Sequence, residues 1–458
     1  MFKKLLFVLI SAASWLQTGY PANFVLDANK GGYNGDGKKP GINANFIMDK
    51  NLSTSALQDI GVKRLRYPMG EIADYYYFNK NNPNKPEVSI RDSGLWFAGF
   101  FNTSNWQWKN PLTFDSFMNK CQAIGATPVV VIGIDSIRYT GSAAKKSKAQ
   151  LIQMAKDWVQ YAKDNNYNIK YWEIGNECDL NNIIIGTWPA NQYADVVKEF
   201  HDAMTSVDPT IQVGANGQSS QAWWDTLNTR ANGKYDFLVT HQYSFVGNFG
   251  AWEQNKPGDY YDFNVREARS AMNRHKGPYN IQITEASSHS PGHSHWNNVW
   301  KGLHNVEVFL NINRHHQIRG VDFWITRWFG DQLSTDSAAF GSSYEPRAMG
   351  LGIKALKFIQ QRVDGPKRSG KINAWITSNN VRNKTCVYLM NKEDSSSTSV
   401  TVTVNNHSGT WNYERWELKG SSPGTTAMTW NQTGNISRSG NQFTTTLPPL
   451  SVVAVYFR

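Results

Sequence analysis

Two glutamates stand where a carboxyl could do chemistry. The run Tyr171-Trp172-Glu173-Ile174-Gly175-Asn176-Glu177 begins as an alternating strand and ends in Gly-Asn-Glu; Ile281-Gln282-Ile283-Thr284-Glu285 is a second strand-like run ending in Glu. Breaking a glycosidic bond needs two carboxyls. One protonates the leaving oxygen, and the other attacks the anomeric carbon or activates water. A lone Glu at a strand end is ordinarily solvated or ion-paired, but Glu177 and Glu285, at the ends of two strands of one sheet, can converge on a single sugar. Glu173, earlier in its strand, is expected to point inward and support the site.

The elements that must position them alternate. Strand-like runs lie at Ile42–Phe46, Arg64–Tyr67, Pro128–Ile134, Lys170–Gly175, Gln212–Ala215, Phe237–Thr240, Asn280–Thr284 and Val321–Ile325, with helical stretches such as Ser147–Asn165, Ala190–Val207 and Asn298–His315 between them. Strands alternating with helical patterns indicate βα units and a parallel sheet. Eight such units predict an α/β fold, a (β/α)₈ TIM barrel over residues 23–365. In such barrels the active site lies at the C-terminal ends of the strands. That places Glu177 after the fourth strand and Glu285 after the seventh on one face. Beyond Gly365-Pro366 the texture becomes short alternating runs between Ser, Thr, Asn and Gly, so residues 366–458 are expected to form an accessory β-sandwich, joined by a strand from within 23–30.

The N-terminus reads as a secretory signal peptide over residues 1–22: Lys3 and Lys4, the apolar run Leu5 to Ile10, then Ser11, Ala12 and Ala13. A secreted, extracellular or periplasmic protein with no stable membrane anchor is expected. Cys121, Cys178 and Cys386 are too few for a disulfide framework and lack zinc-site spacing. The net charge of +11 is spread without a basic stripe or nucleic-acid motif, which argues against nucleic acid and leaves acidic glycans open. Aromatics are abundant, with 18 Trp, 20 Tyr and 22 Phe, and the loop-like cluster Trp96, Phe97, Phe100, Phe101, Trp106 and Trp108 reads either as a platform for sugar faces or as packing. His289, His293 and His295 match no metal motif, so sugar contact or loop packing is expected of them.

Asn176-Glu177 on strand four and Glu285 on strand seven resemble the acid/base and nucleophile of clan A of the retaining glycoside hydrolases. The resemblance spans roughly residues 41 to 350 and extends residue by residue. Arg66 resembles the clan's arginine near the nucleophile, and Asn176 the asparagine that bonds the sugar 2-hydroxyl. His241 and Tyr243 stand where clan members place groups touching nucleophile and sugar; Trp324 and Trp328 resemble the tryptophan floor of the catalytic subsite. Lys170–Glu177 and the stretch from Arg66-Tyr67-Pro68 to Ala73-Asp74-Tyr75 are most similar to glycoside hydrolase family 51 and its relatives, families 39, 79 and 30, although Glu285-Ala286-Ser287 replaces the usual Glu-Trp-Asn. The resemblance implies double displacement on a polysaccharide or oligosaccharide, without cofactor or metal. The aromatic insertion at 93–110 favours an endo-β-glycanase of plant or algal cell walls; an exo-acting α-L-arabinofuranosidase and a sugar-binding protein without catalysis are the other readings.

Overall fold

The computed structural model describes residues 21–33, 39–182, 184–254, 262–275, 280–289, 297–328 and 338–458. Eight parallel strands close into a barrel: β1 (Gly41–Asn43), β2 (Arg64–Tyr67), β3 (Thr127–Ile132), β4 (Tyr171–Ile174), β5 (Gln212–Asn216), β6 (Phe237–Phe245), β7 (Ile281–His289) and β8 (Ile318–Phe323), with β8 pairing back onto β1. The expected (β/α)₈ architecture is present. Its helices follow local rules. The helix Lys148–Asp164 is opened by a capping box between Ser147 and Gln150, which satisfies backbone N–H groups that have no partner inside the helix. The helix Ala190–Thr205 buries Tyr193, Val196, Val197, Phe200 and Met204, the face its spacing predicts.

β1 stops at Asn43 rather than Phe46, β8 starts at Ile318 rather than Val321, and two strands run well past their expected ends. β6 runs on to Phe245 rather than stopping at Thr240, and β7 runs on to His289 rather than stopping at Thr284. Glu285 is therefore inside its strand, not just beyond it. The two strands continue past the barrel rim as a pair, His241 to Phe245 against Glu285 to His289.

The second layer of the molecule is a β-sandwich of a seven-stranded and a four-stranded sheet. Its seven-stranded sheet includes Arg362–Ser369, ahead of the expected residue-366 boundary, because Val363 already pairs with Gly32. Residues Ala22–Asp27 add a parallel strand against Thr398–Asn405 in the other sheet. From Ala22 onward the described residues thus start in the sandwich, cross into the barrel and return.

A buried ion pair ties the two layers together. Lys392 of the sandwich lies 2.8 Å from Glu307 on the helix Val299–Asn313, and both side chains are fully buried. Asn373 and Trp252 donate further hydrogen bonds to the same carboxylate at 2.8 and 2.6 Å. Removing the cation leaves a buried carboxylate short of its counter-charge, which typically costs about 3–5 kcal/mol. Lys392→Met should lower unfolding stability by about that amount in urea titrations, and adding Glu307→Gln should recover part of the loss.

The aromatic insertion after β2 folds into a small antiparallel sheet, Tyr76–Tyr77, Glu87–Val88, Phe101–Asn102 and Gln107–Trp108. Here packing wins over the platform reading for most of the rings. Phe97, Phe101 and Trp108 are buried, and Phe97 stacks on Trp108 with centroids 5.7 Å apart. Trp96 is the exception, half exposed. Cys121, Cys178 and Cys386 are buried free thiols. Among the described residues no helix is long and apolar enough to cross a membrane. The signal-peptide stretch up to residue 20, His293, His295 and the side chain of His289 lie outside what is described.

Candidate active site

β2 and β4 lie on opposite sides of β3, and alternate residues of a strand share a face. Arg64 and Arg66 accordingly both enter the barrel. Arg64 pairs with Asp322 at 2.9 Å and donates to Gln282 at 2.6 Å, making one polar layer. Arg66 makes the layer above it and is wholly buried. Its guanidinium donates to Glu173 at 3.0 Å, to Asn43 at 3.0 Å, to Glu285 at 2.8 Å and to Asn176 at 2.9 Å. Glu173 is therefore the supporting carboxylate the strand pattern predicts. A guanidinium only donates, so it sets the orientation of the Asn176 amide, with Oδ1 toward Arg66 and the NH₂ left to donate elsewhere.

Glu285 reaches Arg66 because β7 is irregular. Strict alternation after Gln282 would send Thr284 inward and Glu285 outward. In the β6–β7 ladder Thr240 pairs with Ile283 but His241 pairs with Glu285, so Thr284 is the extra residue of a bulge. Such a bulge re-aims the side chains that follow it. Thr284 and Glu285 both face the interior: Thr284 Oγ1 lies 3.3 Å from His241 Nε2, and Glu285 meets Arg66. Tyr243, two residues beyond His241 on the same face of β6, donates to the other Glu285 oxygen at 2.5 Å.

Glu177 arrives by a sharp turn. Gly175 has φ +70°, and a Cβ there would come within 2.5 Å of Cys178 Sγ. Glu177 itself has φ +46°, in the left-handed region. A non-glycine residue held there costs of the order of 1 kcal/mol and is found mostly where function needs it. The carboxylate is met by His241 Nδ1 at 2.8 Å. Burial pushes the Glu177 carboxyl above its ordinary range, against the pull of Arg66. Burial also brings the His241 imidazole down to about 4, so the ring is neutral at neutral pH. A neutral ring whose Nε2 carries the proton toward Thr284 presents Nδ1 as an acceptor to a protonated Glu177.

Glu177, Asn176, Tyr243, Glu285, Trp324 and Trp328 border one cavity of about 240 Å³, and Arg66 and His241 stand directly behind it. All eight side chains singled out in the sequence therefore come together. The carboxylate oxygens of Glu177 and Glu285 and the His241 nitrogen lie within 4.8 Å of one another. Those three atoms are also a set that a cation could bridge, but the Arg66 guanidinium 2.8 Å from Glu285 already supplies positive charge and opposes a second. Sequence reasoning missed Met69, Gly70, Glu71 and Ile72, which complete the rim together with Trp96, one ring of the aromatic cluster offered as a platform for sugar faces. Gly70 has φ +31°, and a Cβ there would sit 2.5 Å from the Trp324 ring and 3.3 Å from Glu285, so glycine is what lets β2's loop approach the floor. Its place four residues after Arg66, in the loop that leaves a barrel strand at the functional face, was the available signal.

A barrel with two carboxylates facing each other from β4 and β7 across a tryptophan-floored cavity is an arrangement of the clan A glycoside hydrolases, and the chain is similar to that clan. Comparison with known proteins gives the resemblance its particulars. The family described as "Alpha-L-arabinofuranosidase 1 domain" matches residues 57–257, a stretch that contains Glu177 but not Glu285. A probable alpha-L-arabinofuranosidase C of Aspergillus clavatus is 26% identical over 192 residues, 37% of this chain and 32% of the relative. The chain thus spans about a third of the length of the curated relatives it matches. In structure, a family 51 arabinofuranosidase from Xanthomonas axonopodis pv. citri superposes with TM-score 0.69 at 15% identity, covering 96% of this chain and 100% of that one. A bifunctional glucanase-xylanase from a metagenome library superposes with TM-score 0.67 at 13% identity, covering 95% and 99%. The shared fold extends over barrel and sandwich together, and arabinofuranosidases stand among both the sequence and the structural likenesses.

Proposed function

We propose that the chain is a retaining glycoside hydrolase that removes terminal arabinofuranosyl units from plant or algal cell-wall polysaccharide outside the cell, with Glu285 as nucleophile and Glu177 as acid/base. The observation that carries the mechanism is the approach of the two carboxylates to within 4.8 Å. Retaining enzymes hold them about 5–5.5 Å apart, whereas inverting ones leave about 6.5–9.5 Å for a water between them. Arg66 and Tyr243 hold the Glu285 oxygens in place as an ionised nucleophile. Glu177, its carboxyl raised by burial, donates its proton to the departing oxygen. Once Glu285 is esterified its negative charge is gone, and Glu177 can take a proton from the incoming water.

The arabinofuranosyl reading rests on the matching family and relatives and on the size of the cavity, which at about 240 Å³ suits one monosaccharide. A second reading, endo-β-glycanase action, is favoured by Trp96, in the insertion after β2, and Phe245, the last residue of β6, both half exposed where further sugars could stack. Incubation with wheat arabinoxylan and debranched arabinan tests both. Free L-arabinose as the sole early product, released with the anomeric configuration of the substrate by proton NMR, is expected. A ladder of oligosaccharides would favour the endo reading, and an inverted first product would overturn double displacement.

A further inference from the structure

The net charge of +11 suggests a protein suited to acidic glycans, yet the cavity has the opposite sign. Glu71, Glu177 and Glu285 all border it, and among the described residues no lysine or arginine lines it. Arg66 lies behind the cavity and is engaged with Glu173 as well as Glu285. Behind Glu71 stand two further buried acids, Asp74 and Asp135.

Glu71 has no role in the two-step chemistry above. It is placed by the short helical turn Glu71–Tyr75 that follows Gly70, between the Glu177 carboxylate and the half-exposed indole of Trp96. One of its oxygens, Oε1, is buried and has no hydrogen-bond partner among the described residues. That oxygen has almost no accessible surface, so what Glu71 offers a ligand in the cavity is its charge rather than a free acceptor. Burial pushes the Glu71 carboxyl up, a hydrogen bond with Trp96 draws it back, and Glu177, when ionised, adds to the rise. The site as a whole therefore resists a further negative charge.

We propose that Glu71 is the specificity-determining residue of this cavity: it excludes uronic acids by like-charge repulsion and so selects neutral sugars. The inference rests on the glycosidase reading only in taking the cavity as a sugar site. Discrimination of this kind is a difference between two affinities, and repulsion of the wrong ligand contributes as much as attraction of the right one. Two unit charges some 6 Å apart near a protein surface repel strongly enough to change affinity by about tenfold or more.

Ligand-observed NMR at neutral pH tests it with two matched pairs, D-xylose against D-glucuronate and L-arabinose against D-galacturonate. Each uronate repeats the ring hydroxyls of its pentose and adds a carboxylate at C5. In the wild-type protein at least one pentose should bind at least tenfold more tightly than its matched uronate. In Glu71→Gln, which keeps shape and removes charge, that ratio should fall by about tenfold, with the pentose affinity changed less than the uronate affinity. An unchanged ratio, equal binding of pentose and uronate to the wild type, or no saturable binding of either pentose would overturn the inference. Circular dichroism of Glu71→Gln confirms that a change in ratio is not a change in folding. Hydrolysis is read separately: a shifted ratio without turnover of any glycoside would sink the enzymatic reading and leave this one standing, and turnover with an unmoved ratio would do the reverse.

Discussion

Glu285→Ala is expected to lower turnover by at least about 10⁴-fold on every glycoside the wild type cleaves, aryl glycosides included. The leaving group does not matter because the lost step is attack at the anomeric carbon itself. No neighbouring side chain can substitute. Arg66 and Tyr243 donate hydrogen bonds to Glu285 and carry no nucleophilic oxygen of comparable basicity at neutral pH, since burial and the adjacent carboxylates hold the Tyr243 phenol protonated. The variant should fold, because Arg66 keeps its ion pair with Glu173 at 3.0 Å. Azide added to Glu285→Ala enters the vacated space and attacks from that face while Glu177 still protonates the leaving group, so the glycosyl azide should carry inverted configuration. A retained azide product, or turnover within tenfold of wild type, would show that Glu285 is not the nucleophile.

Much of this was legible beforehand, for a definable reason. The eight strands announce themselves as short apolar runs between helices with clear amphipathic faces, and a barrel fixes where its functional end must be. Asn176-Glu177 and Arg66 could be placed because each is one or two residues from a strand end, where counting is reliable. Four things were hidden. The bulge at Thr284 is a register event between β6 and β7, and no local feature of Ile281–Glu285 encodes it; strand alternation alone would have turned Glu285 away from Arg66. The continuation of both strands to Phe245 and His289 depends on their pairing with one another beyond the rim, since Ser244, Ser287 and Ser288 are poor strand signals taken singly. The aromatic insertion was ambiguous because rings on a loop look the same in sequence whether they face a sugar or each other. Only the small sheet shows that Phe97, Phe101 and Trp108 pack inward while Trp96 stays out. Glu71 escaped notice for a related reason: it lies in a loop, one charged residue among many, and its unpaired oxygen is a property of the assembled cavity.

Glu177→Ala should separate substrates by leaving group where Glu285→Ala does not. In the first step the acid matters in proportion to how badly the departing oxygen needs a proton. A dinitrophenolate leaves unaided, so glycosylation by a dinitrophenyl glycoside should stay within about tenfold of wild type, whereas release from polysaccharide, whose leaving group is an ordinary alcohol, should fall by about 10²–10⁴-fold. The second step then lacks its base. Activated substrates should show a burst followed by a slow steady state, and azide, which needs no base, should speed that phase and give a glycosyl azide of retained configuration. The pH dependence follows the same group. Glu177 must begin protonated, and burial raises its carboxyl above the ordinary range, so wild-type kcat/KM should fall as pH climbs through that raised value. His241, brought down to about 4, is already neutral there and contributes nothing to that limb. In Glu177→Ala assayed with the dinitrophenyl substrate the alkaline limb should vanish while the acid limb remains. Equal losses on both substrates, or an alkaline limb that persists without Glu177, would assign the proton to a different residue.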